Sequence, residues 1–381
     1  MWEAPDGRAK LLLSRELGDT STRWSGWAGA SPSRAALIHA SSRHEVIESV
    51  PAPGPLPNAD LSVWPGHAHS TREIVAARGL KNSVDPSRPY AFLVEDERSA
   101  RGLVEPVATL FLTNRECPFH CLYCDLWKNT TDETLPLGLI PKQIEFALSQ
   151  LPPTPHIKLY NSGNFFDPRA IPVEDHPRIA ELVRGFQTVI IENHPRLTDA
   201  RAVEFRQRIP GEFEVALGLE TIHPEVLPRL NKSMTLDDFD RAAGFLREQG
   251  IEVRAFILLR PPYLSEEQGV EWAWRSIEHA FAQGARVCCV IPTRDGNGIL
   301  EQLGREGHYA PPQLSSLERV LEIALDFGQG RVFVDLWDAR RFATCGVCAE
   351  ARIERLQRMN LRQRIEPRVV CHVCEKLESC L

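Results

Sequence analysis

Short apolar runs alternate with amphipathic segments along most of the chain after residue 106. The apolar runs contain many β-branched residues and end in turn-forming residues, which is the pattern of buried strands. Between these runs, apolar residues recur every three or four positions, as they do on the buried face of a helix. The predicted strands cover residues 90–94, 107–112, 156–161, 188–192, 213–219, 251–259, 286–291 and 331–336.

Capping residues mark the starts of three of the predicted helices. Ser70, Thr235 and Ser265 are each followed three positions later by a residue that completes a capping box. The second helix is expected to run up to Gly250, and the third is expected to end near Gly284. The chain is therefore a series of strands and helices in alternation.

This alternation predicts the fold class. Strands that are apolar on both faces, such as residues 255–259, belong to parallel sheets covered on both sides. Six or seven β/α units indicate an α/β fold, a partial (βα)6 parallel barrel of the TIM type, with its functional loops at one rim. An open doubly wound sheet is the alternative, although the sequence lacks a Gly-x-Gly-x-x-Gly turn.

Three parts follow from this organisation. Residues 1–105 form an irregular N-terminal extension packed on the barrel, where tryptophans and a proline-rich stretch suggest extended chain held by aromatic anchors. Residues 106–336 form the (βα)6 core. Residues 337–381 form a small cysteine-rich metal-binding segment.

Composition narrows the class of protein further. With 43% hydrophobic and 25% charged residues, the chain can bury a large core, and its net charge of −7 gives no overall attraction to nucleic acid. The chain shows neither a signal peptide nor an apolar run long enough to span a membrane, so we expect a cytoplasmic protein. In that reducing compartment its ten cysteines are expected to be metal ligands or catalytic thiols.

Three of these cysteines lie in one loop after the strand at residues 107–112. Cys117, Cys121 and Cys124 have the spacing Cys-x3-Cys-x2-Cys. Thiolates hold iron–sulfur clusters, and three of them can ligate only three irons of a four-iron cluster. Zinc coordination or a chance cluster of cysteines is the alternative interpretation of the spacing alone.

The spacing, together with Tyr123 just before the last cysteine, resembles the signature of the radical S-adenosylmethionine (radical SAM) superfamily. The resemblance implies a [4Fe–4S] cluster on the three cysteines and S-adenosylmethionine on the open iron. It also implies reductive cleavage to a 5′-deoxyadenosyl radical that abstracts hydrogen from a substrate. A reductant such as flavodoxin or ferredoxin would supply the electron.

The same resemblance assigns cofactor-binding residues after the later strands. Ser162, Gly163 and Asn164 stand where the family has a glycine-rich segment for the methionine amino group, although an ordinary Asn/Gly turn also fits them. Glu192 and Glu220 end the third and fourth barrel strands, where they would bond the ribose hydroxyls or the amine, or simply be solvated. The backbone near Ile291 would lie against adenine. No catalytic residue is identified.

The segment around Glu220 narrows the resemblance to an elongator-type branch, which includes tRNA-modifying enzymes. It comprises residues 217–221, 224–227 and 230–232. This branch favours a modified tRNA nucleoside as substrate. The acidic net charge and the lack of an appended RNA-binding domain favour a small molecule or natural-product intermediate instead. Both substrate classes stay open.

Two Cys-x2-Cys pairs lie near the C-terminus, with 22 residues between them. They predict a second metal site on four thiolates, with His372 and Cys380 as spare donors. Zinc and an auxiliary iron–sulfur cluster use the same ligands, and the first cysteine loop favours iron–sulfur. The four cysteines are Cys345, Cys348, Cys371 and Cys374.

Residues 340–368, which include most of the stretch between the two pairs, are basic, with eight arginines against three glutamates. This stretch either binds phosphate or, as the preferred interpretation, forms a solvated helix face. A second functional hypothesis, which is not an enzyme, therefore remains open. It is a zinc-containing, non-catalytic RNA-binding protein built on a barrel scaffold.

Overall fold

A computed structural model describes Trp64 and residues 66–374. Eight strands form one sheet: β1 (Ala91–Arg98), β2 (Val104–Phe111), β3 (His156–Tyr160), β4 (Thr188–Asn193), β5 (Glu212–Glu220), β6 (Glu252–Leu259), β7 (Val287–Pro292) and β8 (Arg331–Val334). The helices are α1 (Thr71–Ala76), α2 (Leu139–Gln150), α3 (His176–Leu182), α4 (Ala200–Arg206), α5 (Val226–Arg229), α6 (Leu236–Glu248), α7 (Glu266–Ala282), α8 (Ile299–Arg305), α9 (Leu314–Phe327) and α10 (Ala349–Arg362). Short 3-10 turns cover Leu126–Asn129, Val173–Asp175, Pro195–Leu197 and Ala339–Phe342.

The strands follow one another across the sheet in chain order. Strand β1 pairs antiparallel with β2, and every later pair from β2 to β8 is parallel. The predicted strands are all present, and the predicted partial parallel barrel is confirmed. With β8 included, seven strands run parallel.

Strand β1 is hydrogen-bonded to β2, so residues 91–98 belong to the sheet. The division of the chain into three parts stays a prediction.

The three predicted capping boxes are present. Ser70, Thr235 and Ser265 each accept a backbone N–H from the residue three positions later, whose side chain bonds back to the cap. These bonds satisfy N–H groups that a helix start leaves without partners. Helix α6 buries the apolar face that its periodicity predicts, which consists of Phe239, Ala242, Ala243 and Leu246.

Charged side chains fill the concave face near the amino ends of the parallel strands. The Arg254 guanidinium on β6 lies 2.6 Å from Glu97 on β1 and 2.5 Å from Glu214 on β5. Lys158 on β3 lies 2.6 Å from the same Glu97. Since β1 and β6 are not neighbours in the sheet, these contacts cross its concave face. Burial alone would raise the pKa of Glu97, but Arg254 and Lys158 hold it well below its usual range.

Helix α10 packs against both β1 and β8, which are the two edges of the sheet. Trp64 is buried in an apolar cluster, where its ring centroid lies 5.3 Å from that of Tyr263. The other tryptophan anchors predicted near the N-terminus, and Cys380, lie outside the described residues. Along Trp64 and residues 66–374, no helix is both long enough and apolar enough to cross a membrane.

Candidate active site and four-cysteine cluster

The loop with Cys117, Cys121 and Cys124 follows β2 at the carboxyl ends of the parallel strands. Cys121 is buried and the other two thiols are partly exposed. Burial raises the pKa of Cys117 to about 11 and the pKa of Cys121 and Cys124 to about 12. Without a metal these thiols are protonated at neutral pH. Bound iron reverses that preference, because coordination by a cation deprotonates a thiol.

Residues from loops far along the chain fix the position of the cysteine loop. Leu122 donates its N–H to the Leu230 carbonyl at 2.8 Å. Asn231 donates to the His120 carbonyl at 2.8 Å, and the buried Asn297 donates to the Leu122 carbonyl at 2.7 Å. The loops after β5 and β7 therefore hold the loop after β2 in place.

The segment Ser162, Gly163 and Asn164 lies beside the cysteine loop. The Asn164 side-chain amide donates to Cys117 Sγ at 3.1 Å. Ser162 adopts a left-handed backbone conformation with φ +52°, and its hydroxyl donates to Tyr90 Oη at 2.8 Å. A Cβ on Gly163 would lie 3.6 Å from the Cβ of Cys117, so this backbone approaches the loop closely.

Glu192 at the end of β4 binds the backbone of the same segment. Its carboxylate accepts the Asn161 N–H at 2.6 Å, and the N–H groups of Ser162 and Gly163 also stabilise its charge. Burial nevertheless raises the pKa of Glu192 to about 7. Glu192 thus holds the Ser162–Gly163 turn.

Glu220 at the end of β5 forms a buried ion pair with Lys232. Lys232 Nζ lies 2.6 Å from Glu220 Oε1 and 3.5 Å from Tyr123 Oη. Burial would lower the pKa of Lys232, but the carboxylate of Glu220 outweighs that effect and the pKa is raised. The backbone of Glu220 is left-handed, with φ +66°, and a register shift between β5 and β6 falls at Gly218 and Glu220. The lysine is thus a cation next to the cysteine loop.

Tyr123 and Ile291 pack against one apolar cluster, which includes Leu122, Leu258 and Ile299. Tyr123, from the loop after β2, and Ile291, from β7, are thereby brought to the same side of the rim. The adjacent cysteines of β7 have no place in this site. Cys288 is buried, and Cys289 Sγ lies 3.6 Å from the Arg254 guanidinium, as expected of structural thiols.

The sequence assigned no site role to His194, Asn231, Lys232 or Asn297. His194 stacks on Phe119 in the cysteine loop, with ring centroids 3.8 Å apart. Burial lowers the pKa of His194 to about 3, so the stacked ring is neutral. The sequence did contain a clue to two of these residues. Asn231 and Lys232 belong to the segment on which the resemblance to the elongator-type branch rests.

The donor set of the loop suits an iron–sulfur cluster. Three thiols come from one loop, and the Asn164 N–H donates to one of the sulfurs, as protein groups do around such clusters. Left-handed backbone occurs at Ser162, after β3, and at Glu220, at the end of β5, on the two sides of β4. Strained conformations of this kind concentrate at functional sites.

The four C-terminal cysteines form a separate cluster. Their Sγ atoms all lie within 4.8 Å of one another, and they are Cys345, Cys348, Cys371 and Cys374. Backbone N–H groups of Cys348 and Val347 donate to Cys345 and lower the pKa of its thiol to about 7. The group could hold a second metal centre. His372 is outside this donor group, and Cys380 is outside the described residues.

Carboxylates pair with all eight arginines of the basic stretch. The pairs are Arg340–Glu350, Arg341–Asp295, Arg352–Glu318, Arg355–Glu322, Arg358–Glu366, Arg362–Glu366, Arg364–Glu366 and Arg368–Glu322. Two of these carboxylates, Glu318 and Glu322, belong to α9 and not to the basic stretch itself. The Arg352 and Arg355 guanidinium groups are largely buried in these pairs and are poorly available to phosphate. The other six side chains are at least about a third exposed, and ion pairs at such positions are weak.

Residues 112–291 match the family model described as "Radical SAM superfamily". The chain therefore contains a radical SAM domain at residues 112–291. It is therefore an enzyme, and the cofactors of its radical SAM domain are a [4Fe–4S] cluster and S-adenosylmethionine. The alternative of a non-catalytic RNA-binding protein is wrong.

Two relatives are named archaeosine synthase subunit beta. The one from Thermococcus kodakarensis is 32% identical over 171 residues, which are 43% of this chain and 53% of the relative. The one from Methanosarcina acetivorans is 27% identical over 212 residues, which are 54% of this chain and 61% of the relative. The chain therefore spans between half and two thirds of these relatives.

Solved radical SAM structures are more distant. Methylornithine synthase is 15% identical with a TM-score of 0.46, and the match covers 77% of this chain and 82% of that chain. Elp3 from Methanocaldococcus infernus is 16% identical with a TM-score of 0.44, and the match covers 58% and 59% of the two chains.

Proposed function

We propose that this enzyme holds its [4Fe–4S] cluster on Cys117, Cys121 and Cys124 and uses the resulting radical on a modified nucleoside. One observation supports the first part most strongly. The three thiols share a loop at the carboxyl ends of the parallel strands, and Asn164 donates to Cys117 Sγ at 3.1 Å. When bound, the cluster supplies the electron that cleaves S-adenosylmethionine to the 5′-deoxyadenosyl radical.

The residues around the loop have separate tasks in this proposal. Ser162 and Gly163 present the backbone to the methionine amino group, and Glu192 holds that backbone in place. The Asn164 amide is engaged by Cys117, so it orients a cluster ligand in addition to lining the S-adenosylmethionine site. Asn297 and Asn231 fix the loop through its carbonyls.

Lys232 and Glu220 act as a pair in the wall of the site. Because Lys232 lies 2.6 Å from Oε1 of Glu220, the charge of this carboxylate is balanced before any ligand binds. Glu220 then presents its second oxygen to the ribose or the amine. The Tyr123 and Ile291 side chains, on the apolar cluster, form the side of the site that receives adenine.

The substrate class rests on the relatives. Two of them are named for the synthesis of archaeosine, a modified tRNA nucleoside, and this favours the nucleoside over the small-molecule or natural-product alternative. Within residues 340–368, Arg352 and Arg355 are occupied by Glu318 and Glu322 and are not available to an RNA backbone. We infer that the nucleoside itself is recognised. Flavodoxin or ferredoxin supplies the electron.

Anaerobic reconstitution tests the radical chemistry. The wild-type chain with dithionite and S-adenosylmethionine is expected to release 5′-deoxyadenosine, and C117A and C124A are expected to release none. C288A removes a buried thiol far from the loop and serves as the matched control, with activity close to wild type. Release of 5′-deoxyadenosine by C117A at the wild-type rate would contradict the assignment of the cluster ligands.

A second experiment tests the substrate class. Bulk tRNA, and the free nucleosides obtained by digesting the same tRNA, are added to the reconstituted enzyme. Faster 5′-deoxyadenosine release with either preparation, and transfer of deuterium from labelled nucleosides into it, supports the proposal. If release is unchanged by both preparations, the nucleoside assignment is wrong and the radical chemistry still stands.

A further inference from the structure

The four C-terminal thiols are spaced for one metal ion. The Cys345 and Cys371 sulfurs are 4.0 Å apart, and the Cys348 and Cys374 sulfurs are 3.7 Å apart. Zinc–thiolate bonds of about 2.3 Å in a tetrahedron place the ligand atoms about 3.8 Å from one another. The observed separations agree with that edge length.

A four-iron cluster requires a wider arrangement of sulfurs. Each of its irons carries one thiolate, so the width of the cluster itself separates the four ligands. Here all four sulfurs lie within 4.8 Å of one another, and three of the four cysteines are buried: Cys345, Cys348 and Cys371. A closed tetrahedral site of four thiolates is typical of structural zinc.

The chain between the two cysteine pairs covers the open edge of the sheet. Asn360 on α10 accepts the Val334 N–H at 3.0 Å and donates to the Val334 carbonyl at 2.9 Å. Gln363 does the same for Val332, with both distances 2.8 Å. Two carboxamides thus take the place of a ninth strand along β8, whose backbone groups would otherwise lack partners.

Arg355 ties this helix to the chain that returns from it. The guanidinium is buried, donates to the Glu366 and Pro367 carbonyls at 3.0 and 2.9 Å through Nε, and lies 2.7 Å from Glu322 on α9. Cys348 immediately precedes α10, and Cys371 follows the return segment. The two ends of the segment that caps β8 therefore meet at the four thiols.

We propose that the four cysteines bind a single zinc ion, which fastens both ends of residues 345–374 and so keeps α10 on the edge of β8. This zinc is structural and takes no part in the chemistry at Cys117, Cys121 and Cys124. The proposal differs from the iron–sulfur cluster that the first cysteine loop favours for this site. It also stands independently of the proposed function, because the two metal sites use different residues.

Metal analysis of the full chain tests the identity of the ion. After anaerobic reconstitution, the wild type is expected to hold about four irons and about one zinc. A C117A/C121A/C124A variant is expected to lose the iron and keep the zinc. Zinc-edge X-ray absorption of this variant should show four sulfur neighbours at one distance. Iron retained by the variant, either one atom or about four, would overturn the proposal.

Hydrogen exchange tests the fastening role. In the C117A/C121A/C124A variant, removal of zinc by a chelator is expected to speed exchange at the Val332 and Val334 amides about tenfold or more. The Val189 and Val215 amides, in the middle of the sheet, should be unaffected. C348A should show the same local effect at Val332 and Val334 without a chelator. Unchanged exchange at Val332 and Val334 after zinc loss would show that the ion does not hold α10 in place.

Discussion

Lys232 Nζ lies 2.6 Å from Glu220 Oε1, and both side chains are less than a tenth exposed. The sequence suggested a cofactor-binding role for Glu220 and none for Lys232. In the structure the carboxylate is already neutralised by the lysine, and Tyr123 of the cysteine loop lies 3.5 Å from the same ammonium. The pair therefore connects the end of β5 to the loop that we propose as the cluster site.

Substitution of Lys232 tests how much the ion pair contributes to the free energy of unfolding. K232M leaves the buried Glu220 carboxylate without its counter-charge and is expected to destabilise the fold by about 3 kcal/mol. The double variant E220Q/K232M removes both charges and should be clearly more stable than K232M. Urea unfolding measures both effects, with the exposed Lys142 as a matched control (K142M). If the double variant is no more stable than K232M, the two charges do not stabilise each other.

Gly218 makes room for the same ion pair. A Cβ at this position would overlap both Glu220 Oε1 and Lys232 Nζ. G218A is therefore expected to displace the pair and to lower 5′-deoxyadenosine release by about tenfold or more. In G244A, on α6, the added Cβ meets no atom within 4 Å, so that variant should keep its activity and gain up to about 1 kcal/mol in stability. Equal activity in both variants would argue against a role for the pair.

The strands of the sheet can be predicted from the sequence, but the Glu220–Lys232 ion pair cannot. The spacing of apolar residues indicates which face of an element is buried. For this reason the predicted start of the strand at residues 251–259 differs by only one residue from the observed start at Glu252. The Glu220–Lys232 contact depends instead on a left-handed residue and a register shift at the end of β5. Neither feature leaves a periodic signal.

The pH dependence of stability tests the environment of Glu192. Burial raises the pKa of this carboxyl from 4.5 to about 7, so the folded protein retains a proton that the unfolded chain releases. Its stabilising contribution is fully present below about pH 4.5 and is lost as the pH rises to about 7. E192Q should lack this component, and the unfolding free energy of the wild type should fall relative to E192Q over that interval. Parallel pH profiles for the two proteins would contradict the raised pKa.

Substitution of Asn360 tests whether its side chain stabilises the edge strand β8. N360A removes both hydrogen bonds to Val334 and is expected to cost about 2 kcal/mol of unfolding free energy. R358A, on the exposed side of the same helix, should cost less than about 0.5 kcal/mol. Urea denaturation compares the two variants. If N360A is as stable as R358A, the carboxamide does not take the place of a strand.

For the four C-terminal cysteines, the sequence does not show which kind of metal centre they hold. Their spacing predicted the ligands, and the structure places all four together. Spacing does not give the distances between sulfurs in the folded chain, since these depend on how α10 and the return segment pack around Arg355. The choice between one ion and a cluster therefore required the structure.

The electron paramagnetic resonance spectrum of the reduced protein tests the central claim most directly. In a cluster held by only Cys117, Cys121 and Cys124, one iron is open to S-adenosylmethionine. We predict a signal in the wild type and in C288A whose g values change when S-adenosylmethionine is added, and no such signal in C121A. A cluster signal that S-adenosylmethionine leaves unchanged, or one that persists in C121A, would contradict the account.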